Sequence, residues 1–571
     1  MVSENIKTSD PVKIINLLNK RFVEKGPKLA AKLKSTNKTA THYIRKPRNV
    51  GSMVFEDITE SEVIDIIQKF DNKKSTGYDD LPSSVLKWSI NLICPHVTKL
   101  YNLMVRQGTY PKIIKIAKVT PLFKKGDMSN ADNYRPISVL TQFNKLFEKL
   151  IYERLLSFTK RNKIPSNNQF GFKKGHSTSH GISYFNEKIN KHLERKKVAV
   201  ALFIDLKSAF DTVDPKNLIA KLEHVGVRGH VLKLLTSYLT NRKQYISCGN
   251  MQSCLLDVVC GVPQGSVLGP LLFIIYIDDI NECSLFECVL FADDAALILA
   301  CKNIKALKKV VNKEMKIIHD WLNTNKLTLN LTKTFYMLFG NHCAITEKHR
   351  KKFRINIEKY TINEVNQIKY LGIILDNNLN WHPHIDYLHT KLSRAAGIMF
   401  KVRDHLPLKA RIMLYDSLAA SYLRYSTPAW GNASSSTISK LQTMQNKIIR
   451  YMTYSNQDVN MNQLYKKLSI LRVEDHYLCE TARFMHSVYH GSMPPAFNDS
   501  FNAINHNYST RVRHQHYFSL PAQRTERGKR TVGYSGVMVW GKIPTEMKSL
   551  SKNRFKYELK RWIISEVIPE T

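Results

Sequence analysis

The sequence predicts an α+β fold, and three observations predict it. The run Val198-Ala-Val-Ala-Leu-Phe-Ile204 is apolar at every position, as in a strand buried on both faces, and it ends abruptly in Asp205. Two short apolar runs, Cys288 to Leu290 and Ala295 to Ala300, flank Phe291-Ala292-Asp293-Asp294, the pattern of a tight β-hairpin with two carboxylates at its tip. Long stretches with helical spacing, Leu81 to Gln107 and Trp381 to Tyr454, stand on either side of these strands in the chain.

Each further element follows in chain order. Pro11 to about Leu33 has helical spacing, with Ile14, Leu17, Leu18 and Phe22 as its apolar positions, and a basic, turn-rich link runs from Lys34 to Gly51. Glu60 to Phe70 and Leu81 to Gln107 read as helices, and Lys112 to Phe123 as paired strands. Asp214 before Pro215 fits an N-cap with proline at the first helical position, and Asp211 is also read as structural. Val267 to Ile277, although apolar, contains Gly and Pro and reads as a core helix. From Trp381 to Tyr454, Leu388, Leu392, Ala395 and Met399 share one helical face, leaving Lys391 and Arg394 for a phosphate backbone. Residues 455–571 mix helix with a basic irregular stretch. There Arg511, Arg513, His514, His516, Tyr517 and Phe518 lead on to Arg524, Arg527, Lys529 and Arg530, a mixture of rings and cations that suits RNA.

The carboxylates carry the chemistry. Like charges side by side on a turn are costly unless neutralised, and the usual neutraliser is a hard divalent cation with oxygen ligands, here Mg²⁺. One acid at a strand end, Asp205, and two at a neighbouring hairpin, Asp293 and Asp294, are what a two-metal phosphoryl-transfer site requires. A second acid pair occurs in Tyr276-Ile-Asp278-Asp279, but the polar Ile280-Asn-Glu-Cys-Ser284 follows it, so no second strand completes a hairpin. Asp278 and Asp279 are therefore read as helix-end or loop acids. His176 with His180, and His382 with His384, lack Cys or acidic companions at ligand spacing, which leaves them core or surface roles.

Composition narrows the partners. The chain has 571 residues, 43% of them hydrophobic, enough for three or four domains at ~150 residues each. Its 86 Lys and Arg against 47 Asp and Glu give a net charge of +39, which calls for a polyanion. No stretch reaches the ~20 apolar residues of a membrane span and the N-terminus has no apolar leader segment, so nucleic acid is the expected partner and the nucleus or cytoplasm the expected compartment. The nine cysteines contain no C-x-x-C pair, as expected of free thiols in a reducing compartment.

Read together, the motifs resemble those of the reverse transcriptases, and more narrowly those of Jockey-like non-LTR retrotransposons. In order they are Thr76-Gly-Tyr-Asp79-Asp80-Leu-Pro82, Val119-Thr-Pro-Leu-Phe-Lys124-Lys-Gly126-Asp, Asn133-Tyr-Arg135-Pro-Ile-Ser-Val-Leu140, the Asp205 strand, Gly261-Val-Pro-Gln264-Gly265-Ser-Val-Leu-Gly-Pro270, the Phe291 hairpin, Leu329-Asn-Leu-Thr-Lys333-Thr334 and Lys369-Tyr-Leu-Gly372. The resemblance implies a right-hand polymerase: an N-terminal helical extension and linker over 1–50, fingers and palm over 51–375, a helical thumb over 376–454, and a basic C-terminal region over 455–571. It implies Asp205, Asp293 and Asp294 as catalytic metal ligands for two Mg²⁺ ions, for which Mn²⁺ can substitute. Lys333 would protonate the departing pyrophosphate, Lys124 and Arg135 would take the triphosphate, and Gln264 and Gly265 would approach the base pair or a phosphate. Phe210 would sit beneath the incoming sugar and leave no room for a 2′-hydroxyl, which disfavours an RNA-templated RNA polymerase. The implied partners are an RNA template, a DNA primer or target, and dNTPs. Only about 70 residues precede the first motif, too few for a two-sheet nuclease, so the chain is expected to lack the endonuclease domain usual in such elements.

Overall fold

A computed structural model describes residues 2–3, 6–44, 51–72, 75–341, 345–503 and 517–569. The chain forms two compact units that interleave in sequence: Met1–Phe172, Ile204–Phe286 and Lys313–Thr334 make the first, and Lys173–Phe203, Glu287–Asn312 and Phe335–Thr571 the second. Both mix helices and sheet, as the sequence predicts.

In the first unit, strand Ile116–Phe123 pairs antiparallel with Tyr134–Val139 and parallel with Arg242–Cys248. Lys112–Phe123 is therefore not a pair of strands. A single turn, Ile113–Lys115, precedes one strand, because Lys115 points inward and donates to the Ser237 and Thr240 carbonyls at 2.7 and 2.9 Å. The N-terminal helix Pro11–Ala30 begins at an Asp10 cap with proline at its first position. Its Ile15, Leu18 and Phe22 share one buried cluster with Ala117, Val119 and Ile246, so the helix is part of this unit's core. Helix Pro215–His224 starts at Asp214, which accepts from the Asn217 amide, as the sequence implies. Helix Gly269–Tyr276 is buried along its whole length apart from Pro270.

In the second unit the apolar run becomes strand Val198–Ile204, buried throughout and set inside a six-stranded sheet. Its neighbours there are Phe335–Phe339 and Asp294–Cys301, with Glu287–Phe291 beyond the latter at the sheet edge. Helices His382–Val402 and Ser435–Thr453 follow, and Leu388, Leu392, Ala395 and Met399 are all buried on the first of them. The C-terminal residues are tied to helix Thr178–Glu194: Glu194 accepts from the Arg524 amide at 2.7 Å and from the Thr525 hydroxyl, and Glu187 accepts from the Gly533 amide at 2.6 Å. Of the basic, ring-rich stretch, residues 504–516 lie outside the described residues, while Tyr517 packs edge-on against Tyr489 and Phe518 against Phe501. Among the described residues no helix is long and apolar enough to cross a membrane.

Candidate active site

Asp205 begins where strand Val198–Ile204 stops, in a turn stitched to the loop at 328–334. Leu206 bridges to Leu329, and the Lys207 amide donates to the Thr328 carbonyl at 2.9 Å. Asn330 holds Asp205 twice, its amide donating to the backbone carbonyl at 2.8 Å and its side chain to Oδ2 at 2.7 Å. Lys333 Nζ stands 3.7 Å from the same Oδ2, so two sequence-predicted residues meet here. Asn330 was not singled out from the sequence, although it lies inside the motif that supplied Lys333.

The hairpin is as tight as its sequence suggests. Phe291 pairs with Asp294, leaving Ala292 and Asp293 as a two-residue turn. Ala292 takes φ 55, a left-handed conformation that a Cβ disfavours and that concentrates at functional sites. Asp293 is half-buried and Asp294 exposed. Tyr370 underpins the strands: its ring packs against Phe185 and Phe203, and its hydroxyl donates to the Val289 carbonyl at 3.4 Å. Burial pushes that phenol far up, and the charge of Asp294 raises it further.

Lys124 and Arg135 lie at the loop end of the first unit's two antiparallel strands, where Arg135 pairs with Leu122 and the Lys124 amide donates to the Asn133 carbonyl at 2.8 Å. The Lys124 ammonium reaches solvent, yet surrounding protein and then the charges of Arg135, Lys25 and Lys333 hold it below its ordinary value, while Asp211 pulls the other way. Asp211 answers to the same group: burial raises its carboxyl, and Lys25, Lys124 and Arg135 draw it back down. It also accepts from Gln264 Nε2 at 3.1 Å. Lys25 and Asp211 thus join the predicted Lys124, Arg135, Gln264 and Lys333. Nothing near Lys25 in the chain distinguishes it, since it lies about 100 residues before Lys124.

Gly265, at φ 113, makes its close approach to strand Tyr134–Val139, where an added Cβ would stand 2.5 Å from the Ser138 carbonyl oxygen. The Ser138 amide donates to the Gln264 carbonyl at 2.7 Å, and buried Glu148 takes the Val267 amide at 2.5 Å, which fixes the loop from both sides. Phe210 stacks on Phe273 at 4.5 Å between centroids and meets Phe172 edge-on at 6.0 Å. It is half-buried, so the ring has core contacts and an accessible remainder.

The second acid pair is structural. Asp279 Oδ1 lies 2.7 Å from Lys221 Nζ, with side-chain exposures of 4% and 2%, and the ammonium also donates to the Tyr276 carbonyl at 2.6 Å. Asp278 accepts from the Ser166 amide at 2.7 Å. Both follow helix Gly269–Tyr276, as a helix-end reading expects, but their burial was not foreseen. His180 packs against Phe484 and Phe497, and His384 against Trp430; burial pulls each imidazole down to about 4, so both rings are neutral, His384 in the core and His180 half-buried. Among the described residues no three His, Cys, Asp or Glu side chains form a preassembled metal-ligating group.

Residues 123–375 match the family of reverse transcriptases (RNA-dependent DNA polymerases). The chain is 28% identical over 432 residues to the probable RNA-directed DNA polymerase from transposon X-element of Drosophila melanogaster, covering 74% of this chain and 47% of that protein. It is 26% identical over 446 residues to the RNA-directed DNA polymerase from mobile element jockey of the same species, covering 76% and 48%. With the Pol polyprotein from type-1 retrotransposable element R1 of Bradysia coprophila it shares 24% over 428 residues, covering 73% and 41%. The chain spans about half the length of the curated relatives it matches. Residues 123–375 match the reverse transcriptase domain, and over about three quarters of its length the chain is similar to the RNA-directed DNA polymerases of the X-element, jockey and R1 retrotransposable elements.

Proposed function

We propose that the chain extends a primer 3′-hydroxyl with dNTPs on an RNA template by two-metal phosphoryl transfer, as a right-hand polymerase. The strands carrying Lys124 and Arg135 act as fingers, the sheet carrying the hairpin as palm, and helices His382–Val402 and Ser435–Thr453 as thumb. One observation supports this reading: Lys124 is held below its ordinary value first by the surrounding protein and then by the charges of Arg135, Lys25 and Lys333, which come from separate segments. Gathering like charges costs free energy unless an anion relieves them, and a nucleoside triphosphate is such an anion.

The carboxylates suit hard ions. Asp205, Asp293 and Asp294 offer only oxygen donors, and Mg²⁺ commonly binds through one or two carboxylates plus substrate phosphates rather than an all-protein cage. When bound, the ions would activate the attacking hydroxyl and stabilise the leaving pyrophosphate. The protein's own part is to aim Asp205 through Asn330, to hold the hairpin on Tyr370, and to place the Lys333 ammonium beside Asp205 as a proton donor.

Two measurements test this in the full chain. Arg135→Ala should raise KM for dNTPs by about 10- to 100-fold in primer extension, the loss of a charge-assisted contact of ~1.5–3 kcal/mol; an unchanged KM would remove Arg135 from the triphosphate. Phe210→Val should lower the preference for deoxyribonucleotides over ribonucleotides, because the half-buried ring is the bulk expected against a 2′-hydroxyl. If that ratio does not move, Phe210 serves only its contacts with Phe273 and Phe172. A non-catalytic RNA-binding remnant is the second reading, and intact Asp205, Asp293, Asp294 and Lys333 weigh against it.

A further inference from the structure

The N-terminal helix Pro11–Ala30 lies outside residues 123–375, yet it reaches the nucleotide constellation. Its Phe22 and Val23 line a cavity together with Ser138, Asp211, Cys260 and Gln264. Gly26 is pressed against the wall of that cavity, where a Cβ would collide with the Asp211 carbonyl oxygen and the Cys260 sulfur. Only glycine fits such an approach, so the helix is held in one place and Lys25, next in the chain, is held beside Asp211. Cys260 reinforces the contact, its thiol donating to the Asp211 carbonyl at 3.2 Å.

Lys25 differs from the other cations of its helix. Lys13 has Asp10 at 4.0 Å, Lys20 and Lys28 have Glu24 at 3.9 and 2.9 Å, and Arg21 has Asp132 at 2.6 Å. Among the described residues no carboxylate lies within ion-pair distance of Lys25, and its charge acts instead on Lys124 and Asp211. Among the described residues, Asp211 is the carboxylate that feels Lys25, Lys124 and Arg135, and Asp205 stands 3.7 Å from Lys333. That surplus of positive charge is what a triphosphate would neutralise.

We propose that Lys25 is a ligand of the incoming nucleotide's triphosphate, delivered by the N-terminal helix, whose Gly26 seats it against the Asp211 backbone while the Asp211 carboxylate holds Gln264. The proposal rests on the polymerase reading above. It makes a helix outside the matched domain a working part of nucleotide selection, with Gly26 fixing its position.

Steady-state primer extension by the full chain, at saturating RNA template and DNA primer with dTTP varied, tests it. Lys25→Ala should raise KM for dTTP about tenfold while kcat stays within about twofold, and Lys25→Arg should restore most of the affinity. Lys20→Ala, on the same helix but paired with Glu24, should match the wild type. An unchanged KM in Lys25→Ala overturns the proposal. So does weakened binding of an RNA–DNA hybrid, measured without nucleotide, at unchanged KM, which would assign Lys25 to the nucleic-acid backbone. A wild-type chain that extends nothing removes the polymerase reading, and this proposal with it, whereas extension with unaltered KM in the variant removes this proposal alone.

Discussion

Asp293→Asn should abolish primer extension, by at least about a thousandfold, while leaving binding of an RNA–DNA hybrid nearly unchanged. The turn that carries it is fixed by the Phe291–Asp294 pairing and by the positive φ of Ala292, so an amide of the same shape keeps the hairpin while losing the charge. What remains is a neutral ligand where a divalent ion needs an anion, and metal affinity and transition-state stabilisation fall together. Asp205→Asn should behave alike. Retained extension in Asp293→Asn would show that the hairpin is not the metal-binding element.

The second large effect is on stability. Asp279→Asn removes the charge partner of Lys221 in a pair that water barely reaches, leaving a buried ammonium with the Tyr276 carbonyl and the rings of Tyr276 and Trp321. Breaking such a pair costs on the order of 3–5 kcal/mol, whereas replacing both partners with apolar residues of similar volume is often near neutral. Chemical denaturation should therefore show a large loss for Asp279→Asn and recovery in the double variant Lys221→Met, Asp279→Leu. The catalytic rate per folded molecule should be retained in both. A loss of rate without a loss of stability in Asp279→Asn would move this acid into the chemistry.

The hairpin and the strand before Asp205 were legible because their information is local. An unbroken apolar run and two acids between apolar runs state their own burial pattern. The helix after Trp381 was legible for the same reason, through the spacing of Leu388, Leu392, Ala395 and Met399. Where the sequence misled, the deciding contact was remote. Lys112–Phe123 looks like two strands until Lys115 is seen to turn inward to carbonyls more than 120 residues away. Asp279 reads as a loop acid because nothing near it in sequence announces Lys221. The Gly265 turn could be read as a close approach, but only the fold shows that the approach is to Ser138. Lys25 was not singled out and Asp211 was read as structural because the charges that surround them come from segments about 75 to 190 residues away in the chain.

The most direct measurement is extension of an oligo(dT) primer on a poly(A) RNA template by the full chain with Mg²⁺, supplied in parallel with dTTP or with UTP. The result expected is processive or distributive extension with dTTP, little with UTP, and none from the Asp205→Asn, Asp293→Asn double variant. Extension that prefers UTP, or that survives in the double variant, would contradict the assignment of this chain as an RNA-directed DNA polymerase working through Asp205 and Asp293.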